Sequence, residues 1–178
     1  MCTPFRGCGS LLGPAVLQVC LLAFTSSAAR AEGWSRVAVS EPAARSSLHS
    51  ALDSAVQWWT YSPCRAILTE FLDEHGCPLS EKLAALKTTF ETYLQWVVIQ
   101  DASGGKRCEN LNQFAFTAAG SRVVFVCGKA FRRLWERDAE RATAVLIHEV
   151  LHTLGLGENG LFPSSRDITR IVLERCHR

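Results

Sequence analysis

The sequence predicts an α+β fold, predominantly helical, with a small sheet or hairpin packed on a helix near the C-terminal end. Three observations predict it. Apolar residues recur at helical spacing through the first half, from Leu48 to Leu94. Two short runs rich in aromatic and β-branched residues, Phe114 to Thr117 and Val123 to Cys127, flank Ala119-Gly120-Ser121. From Phe131 the helical pattern resumes and continues to the end.

The first 31 residues have the composition of an address. Arg6 supplies a positive charge, Leu11 to Phe24 is apolar apart from Gln18, and Ala29-Arg30-Ala31 offers a small-x-small cleavage site. Residues 1–31 are therefore expected to be a signal peptide, and the protein to be secreted or periplasmic. Downstream, no run is apolar for long enough to span a bilayer. The leader takes Arg6 and Arg30 out of 19 basic residues, leaving 17 against 17 acidic ones. This balance makes no electrostatic case for nucleic acid or an anionic membrane, since phosphate binding needs a clustered positive surface.

Residues 32–46 are small and polar and contain Pro42, the composition of a flexible lead-in, with one domain expected over 47–178. A first helix carries Leu48, Leu52, Val56 and Trp59, and a second starts near Pro63 with Ile67, Phe71 and Leu72 on one face. Pro78 and Ser80 introduce a longer helical segment marked by Leu83, Leu86, Phe90, Tyr93 and Leu94. Trp58, Trp59 and Trp96 fit a core better than a ligand groove. Asp101 to Gly105 reads as a turn, and the two β-rich runs as a hairpin or neighbouring strands, with Val123 to Val126 as the sheet's edge. A final helix is expected over Ser164 to Arg175, with Ser164 and Asp167 as a capping pair.

Five cysteines follow the leader: Cys64, Cys77, Cys108, Cys127 and Cys176. They allow two disulfides and one leftover thiol. Cys64 with Cys77 and Cys108 with Cys127 are the expected pairs, since each brackets a compact segment. No pair has the C-x-x-C spacing of a zinc knuckle.

Most of the chemistry is concentrated in His148-Glu149-Val150-Leu151-His152. On a helix, residues four apart project from one face, so both imidazoles can reach one metal ion. Zinc takes such ligands, needs a third, and keeps one position for water. Glu149 stands beside the first ligand, where it can take a proton from that water and later return it to a leaving nitrogen. Gly155 can end the helix in a left-handed turn, so that Leu156-Gly157 brings Glu158 to the same ion. Glu174, 22 residues after His152, is a second candidate for third ligand, although Arg170 four residues before it also offers an ion pair. Arg166, Arg170, Ser164 and Ser165 are the candidates for oxyanion stabilisation. His49, His75 and His177 are expected to stand apart from the site.

The stretch from His148 to Glu158 resembles the metzincin pattern H-E-x-x-H-x-x-G-x-x-H/D, with Glu158 where that clan has His or Asp. The only methionine is Met1, so the methionine turn of that clan is missing. Val123 to Cys127, followed by a helix and H-E-x-x-H, is similar to the deuterolysin-like aspzincins. The resemblance implies a zincin-like fold, one Zn2+ ion held by His148, His152 and Glu158, Glu149 as catalytic base, and a peptide or protein substrate. A zincin-like domain that keeps the metal as a structural or binding module, without turnover, is the alternative.

Overall fold

A computed structural model describes residues 34–158 and 163–177; the expected leader lies outside them. The described elements are seven α-helices and a four-stranded sheet, an α+β architecture dominated by helix.

Part of the expected lead-in is structured. Val37–Ala38 forms strand β1, and helix α1 already begins at Pro42, running Pro42–Trp59. A proline in the first turn lacks only an N–H that has no helical partner there, so Pro42 starts a helix as readily as it ends one. Val39 and Ala44 are buried, which fastens this segment to the core. Helix α2, Ser62–Glu70, follows, again with a proline in its first turn.

The longer third helix expected after Pro78 is two short ones, α3 (Leu79–Ala85) and α4 (Phe90–Trp96). Between them Lys87 takes φ 51°, which reverses the chain, and the Thr89 hydroxyl caps α4 by accepting from the Thr92 N–H at 3.3 Å. The apolar stripe survives the break because Leu83, Phe90, Tyr93 and Leu94 all face inward. Trp59 is buried and stacked on Phe90 with ring centroids 3.6 Å apart, while Trp58 and Trp96 pack at the margin of the core.

Strand β2 (Val98–Asp101) lies parallel to β1 and to β4 (Val123–Val126), and β3 (Ala115–Phe116) pairs antiparallel with β4. The order is β1-β2-β4-β3. The neighbouring strands expected between Phe114 and Cys127 are thus present. Their positions differ from expectation: β4 is interior, and the edge beside the C-terminal helices is β3. Val124 and Val126 are fully buried, which fits an inner strand.

Helices α5 (Gly128–Arg137), α6 (Ala139–Thr153) and α7 (Ser165–Cys176) complete the domain. α6 is the central helix. It packs on α1, α5 and α7 and touches β3 and β4, which is why nearly all its residues from Ala142 onward are buried. No helix among the described residues is long and apolar enough to cross a membrane.

The disulfides confirm one expected pair and replace the other. Cys108 is bonded to Cys127, and Cys64 to Cys176 rather than to Cys77. The cause is packing: α2 lies against α7, so a buried Cys64 meets a buried Cys176. Cys77 is disulfide-bonded as well, so the leftover thiol is not found among the described cysteines. The Cys64–Cys176 bond closes a separation of 112 residues, and loop-closure entropy assigns it about 5 kcal/mol. The 19-residue separation of Cys108 and Cys127 corresponds to about 3 kcal/mol. Replacing both Cys64 and Cys176 by Ser is therefore expected to lower the urea midpoint more than the matching change at Cys108 and Cys127, measured without reductant.

Candidate metal centre

Helix α6 is bounded at both ends by specific backbone chemistry. The Asp138 carboxylate accepts from the Arg141 N–H at 2.9 Å and caps its start. At its end the Gly155 N–H donates to the His152 carbonyl at 2.9 Å and the Leu156 N–H to the Leu151 carbonyl at 3.2 Å, the paired bonds of a Schellman turn. Gly155 sits at φ +110°, where a side chain would be strained, and a Cβ there would lie 3.2 Å from that of Asp73. The Glu74 N–H donates to the Gly155 carbonyl at 3.2 Å, so the turn is docked on the Leu72–Pro78 hairpin.

That turn delivers Glu158 to the histidines. The Nε2 atoms of His148 and His152 are 2.8 Å apart, and Glu158 Oε1 is 3.2 Å from each. A circle through three atoms so spaced has a radius of about 1.8 Å, just under the zinc bonds of ~2.0–2.2 Å to nitrogen and oxygen. These three donors could therefore hold one metal ion. His148 and His152 are buried, and the Glu158 side chain is 41% exposed, so the cluster meets solvent on the Glu158 side.

The outer ring nitrogens fix how the imidazoles present themselves. His152 Nδ1 lies 2.6 Å from the Leu156 carbonyl oxygen, which can only accept, so Nδ1 carries the proton and a neutral ring offers its Nε2 lone pair to the cluster. His148 Nδ1 lies 2.9 Å from the Thr169 hydroxyl on α7. Such partners orient metal-ligating histidines. Burial lowers the pKa of His148, opposed by Glu158, and so favours the uncharged ring that a metal requires. A hydrogen bond with His148 holds the Glu158 carboxyl down to about 2, against the opposing effect of its partial burial.

Glu149 is one residue along, 8% exposed and hydrogen-bonded by the Thr117 backbone next to β3. Burial, and then the charge of Glu158, push its carboxyl up to about 8. A divalent cation beside it acts in the opposite sense and favours the carboxylate. His148 and Glu149 line a groove of about 580 Å³ between α6, α7 and residues 112–115.

Of the other candidates, Glu174 is not brought to the cluster. It faces outward on α7, 57% exposed, with Arg170 3.0 Å away. Ser164 caps α7 by accepting from the Asp167 N–H at 3.3 Å, and Asp167 is thereby a capping partner. Ser165, Arg166 and Arg170 border the groove. Tyr93 is buried at the end of α6, its hydroxyl donating to the Thr153 carbonyl at 3.1 Å. His177 pairs with Glu140 at 2.9 Å, away from the cluster. Sequence reasoning missed Thr169, the Leu156 carbonyl and the Thr117 backbone. Only the two residues after Gly155 carried a signal, since a helix-ending glycine turns the next carbonyls back towards the helix.

Substituting Glu158 with Ala is expected to weaken zinc binding by about 100-fold or more, because removal of an outer partner alone costs 10–100-fold. Glu174→Ala is expected to leave affinity unchanged; a competitive chelator titration compares the two. Comparisons with family models, curated proteins and solved structures find no match to this chain, so the functional reading stands on the cluster itself.

Proposed function

We propose that the protein is a zinc-dependent hydrolase, a zincin-like metallopeptidase exported through its N-terminal leader. One observation carries this reading: His148, His152 and Glu158 converge with 2.8–3.2 Å between their donor atoms, while Glu149 is buried beside them and borders a groove. A purely structural zinc site has no need of a base at its side.

His148, His152 and Glu158 would hold one ion. Zinc bound there supplies Lewis acidity and brings the pKa of a water towards neutrality. Glu149 accepts the proton at its carboxylate and returns it to the leaving nitrogen. The Thr117 backbone and the walls around Glu149 keep that carboxylate in place for both transfers. Substrate would lie extended against β3, the edge strand whose residue Ala115 borders the groove, since pairing at a sheet edge binds peptide backbone without demanding a side chain.

The test is metal analysis of the purified protein together with digestion of a diverse peptide library read by mass spectrometry. One zinc per chain is expected, with cleavage that stops on chelation and returns with zinc. A folded protein that takes up no divalent ion, or a zinc-loaded one that cleaves nothing, overturns the reading.

A further inference from the structure

Two exposed arginines border the groove. Arg141, on α6, and Arg166, on α7, both border it, are exposed, and make no ion pair among the described residues. Arg170 also borders the groove, but Asp167 at 3.5 Å and Glu174 at 3.0 Å already neutralise it. Glu140, next to Arg141 in sequence, pairs with His177 at 2.9 Å, and Asp138, which also borders the groove, accepts from the Arg141 backbone N–H rather than from its guanidinium. The groove thus carries two guanidinium groups that make no ion pair among the described residues, beside the carboxyl groups of Asp138 and Glu149, which also border it.

Their position has a length scale. Arg141 precedes His148 by seven residues, two helical turns, so Arg141, Val145 and His148 share one face of α6 and all border the groove. The axial separation is about 10 Å at ~1.5 Å per residue, which an extended peptide covers in roughly three residues at ~3.3 Å each. Arg166 approaches from the opposite wall. Guanidinium groups match carboxylates with paired N–H donors, and neither has an ion-pair partner among the described residues to release first.

We infer that this groove selects peptide substrates carrying a carboxylate about three residues from the cleaved bond. The inference rests on the hydrolase reading and names its substrate class. The carboxylate belongs either to an acidic side chain or to the substrate's C-terminus, and the two are chemically alike at the arginines.

The experiment uses zinc-loaded protein and three peptides of one sequence, chosen from a library cleavage site: one amidated with Gln at the third position, one amidated with Glu there, and one with Gln and ending at that position with a free carboxylate. The expected kcat/KM is about two- to fivefold higher for one or both carboxylate peptides than for the neutral one, the range of a solvent-exposed charge pair. The peptide that gains shows which source the groove reads. Arg141→Gln and Arg166→Gln are expected to shrink that ratio towards one, as is 0.5 M salt, whereas Arg133→Gln on the exposed face of α5 leaves it unchanged. Equal rates for the three peptides, or a preference untouched by Arg141→Gln and Arg166→Gln, overturn the inference while leaving the hydrolase reading intact. Should nothing be cleaved, the hydrolase reading falls, and anisotropy binding of the same labelled peptides decides the groove: tighter binding of the carboxylate peptides, lost in both variants, upholds it, and equal binding overturns it.

Discussion

Glu149→Gln is expected to lower peptide hydrolysis by about 10³-fold, within the 10²–10⁴-fold range of a positioned general base, while zinc content stays at that of the unaltered protein. The amide keeps the shape of the side chain and can still meet the Thr117 backbone, but it cannot accept the proton. His148 and His152 carry the converging Nε2 atoms, and their outer nitrogens are held by Thr169 and Leu156, neither of which the substitution touches. The loss should therefore fall on kcat, with KM little changed. Zinc loss in this variant, or hydrolysis within a few fold of the original, would show that Glu149 serves the fold or the metal rather than the reaction. Glu149→Asp is the companion variant: it keeps a carboxylate one methylene back, so partial activity separates a need for the proton acceptor from a need for its placement.

What the sequence made legible about this site is what depends on local spacing. The i, i+4 histidines, the glutamate between them, the helix-ending Gly155 and the Ser164 cap are all set by residues within one or two turns of each other, and such relations can be read along a chain. The same holds for Cys108 with Cys127 and for the ladder between β3 and β4, which short connections bring together. What was missed depends on contacts across space. Thr169 reaches His148 only because α7 packs on α6, and Cys64 meets Cys176 only because α2 packs on α7. β1 has two residues, too few for an alternating pattern, and its parallel partner β2 lies some 60 positions later. The break at Lys87 was hidden by an apolar stripe that continues through it, since Leu83 and Phe90 remain buried on either side of a reversed turn.

The stability of the domain is expected to depend on zinc and on pH together. With free zinc at about 10⁴ times its dissociation constant, linkage contributes about 5.5 kcal/mol, and a domain of this size gains ~4 °C per kcal/mol, so chelation should lower Tm by about 20 °C. The pH dependence of the chelated protein follows from three groups. Glu158 is held to about 2 and His148 is lowered, so both contribute stability at neutral pH that is lost on acidification, His148 first below the ordinary histidine value and Glu158 below the ordinary carboxyl value of 4.5. Glu149 has the opposite sign. Its folded pKa of about 8 lies above the value of 4.5 that it has when exposed, so the folded state binds the extra proton, and its contribution falls as pH rises from 4.5 to 8. Glu149→Gln removes this pH dependence, and in chelated protein at pH 7.5 it is expected to raise stability by on the order of 4 kcal/mol, shrinking to about 1 kcal/mol or less near pH 5. A bound dication favours the ionised Glu149, so in the zinc-loaded protein the gain should disappear or reverse. Urea unfolding of both proteins at pH 5 and 7.5, with zinc and with chelator, measures all four differences. A gain from Glu149→Gln that is the same with and without zinc would mean that no cation binds close enough to Glu149 to act on its proton, and the cluster of His148, His152 and Glu158 would then not be its neighbouring metal site.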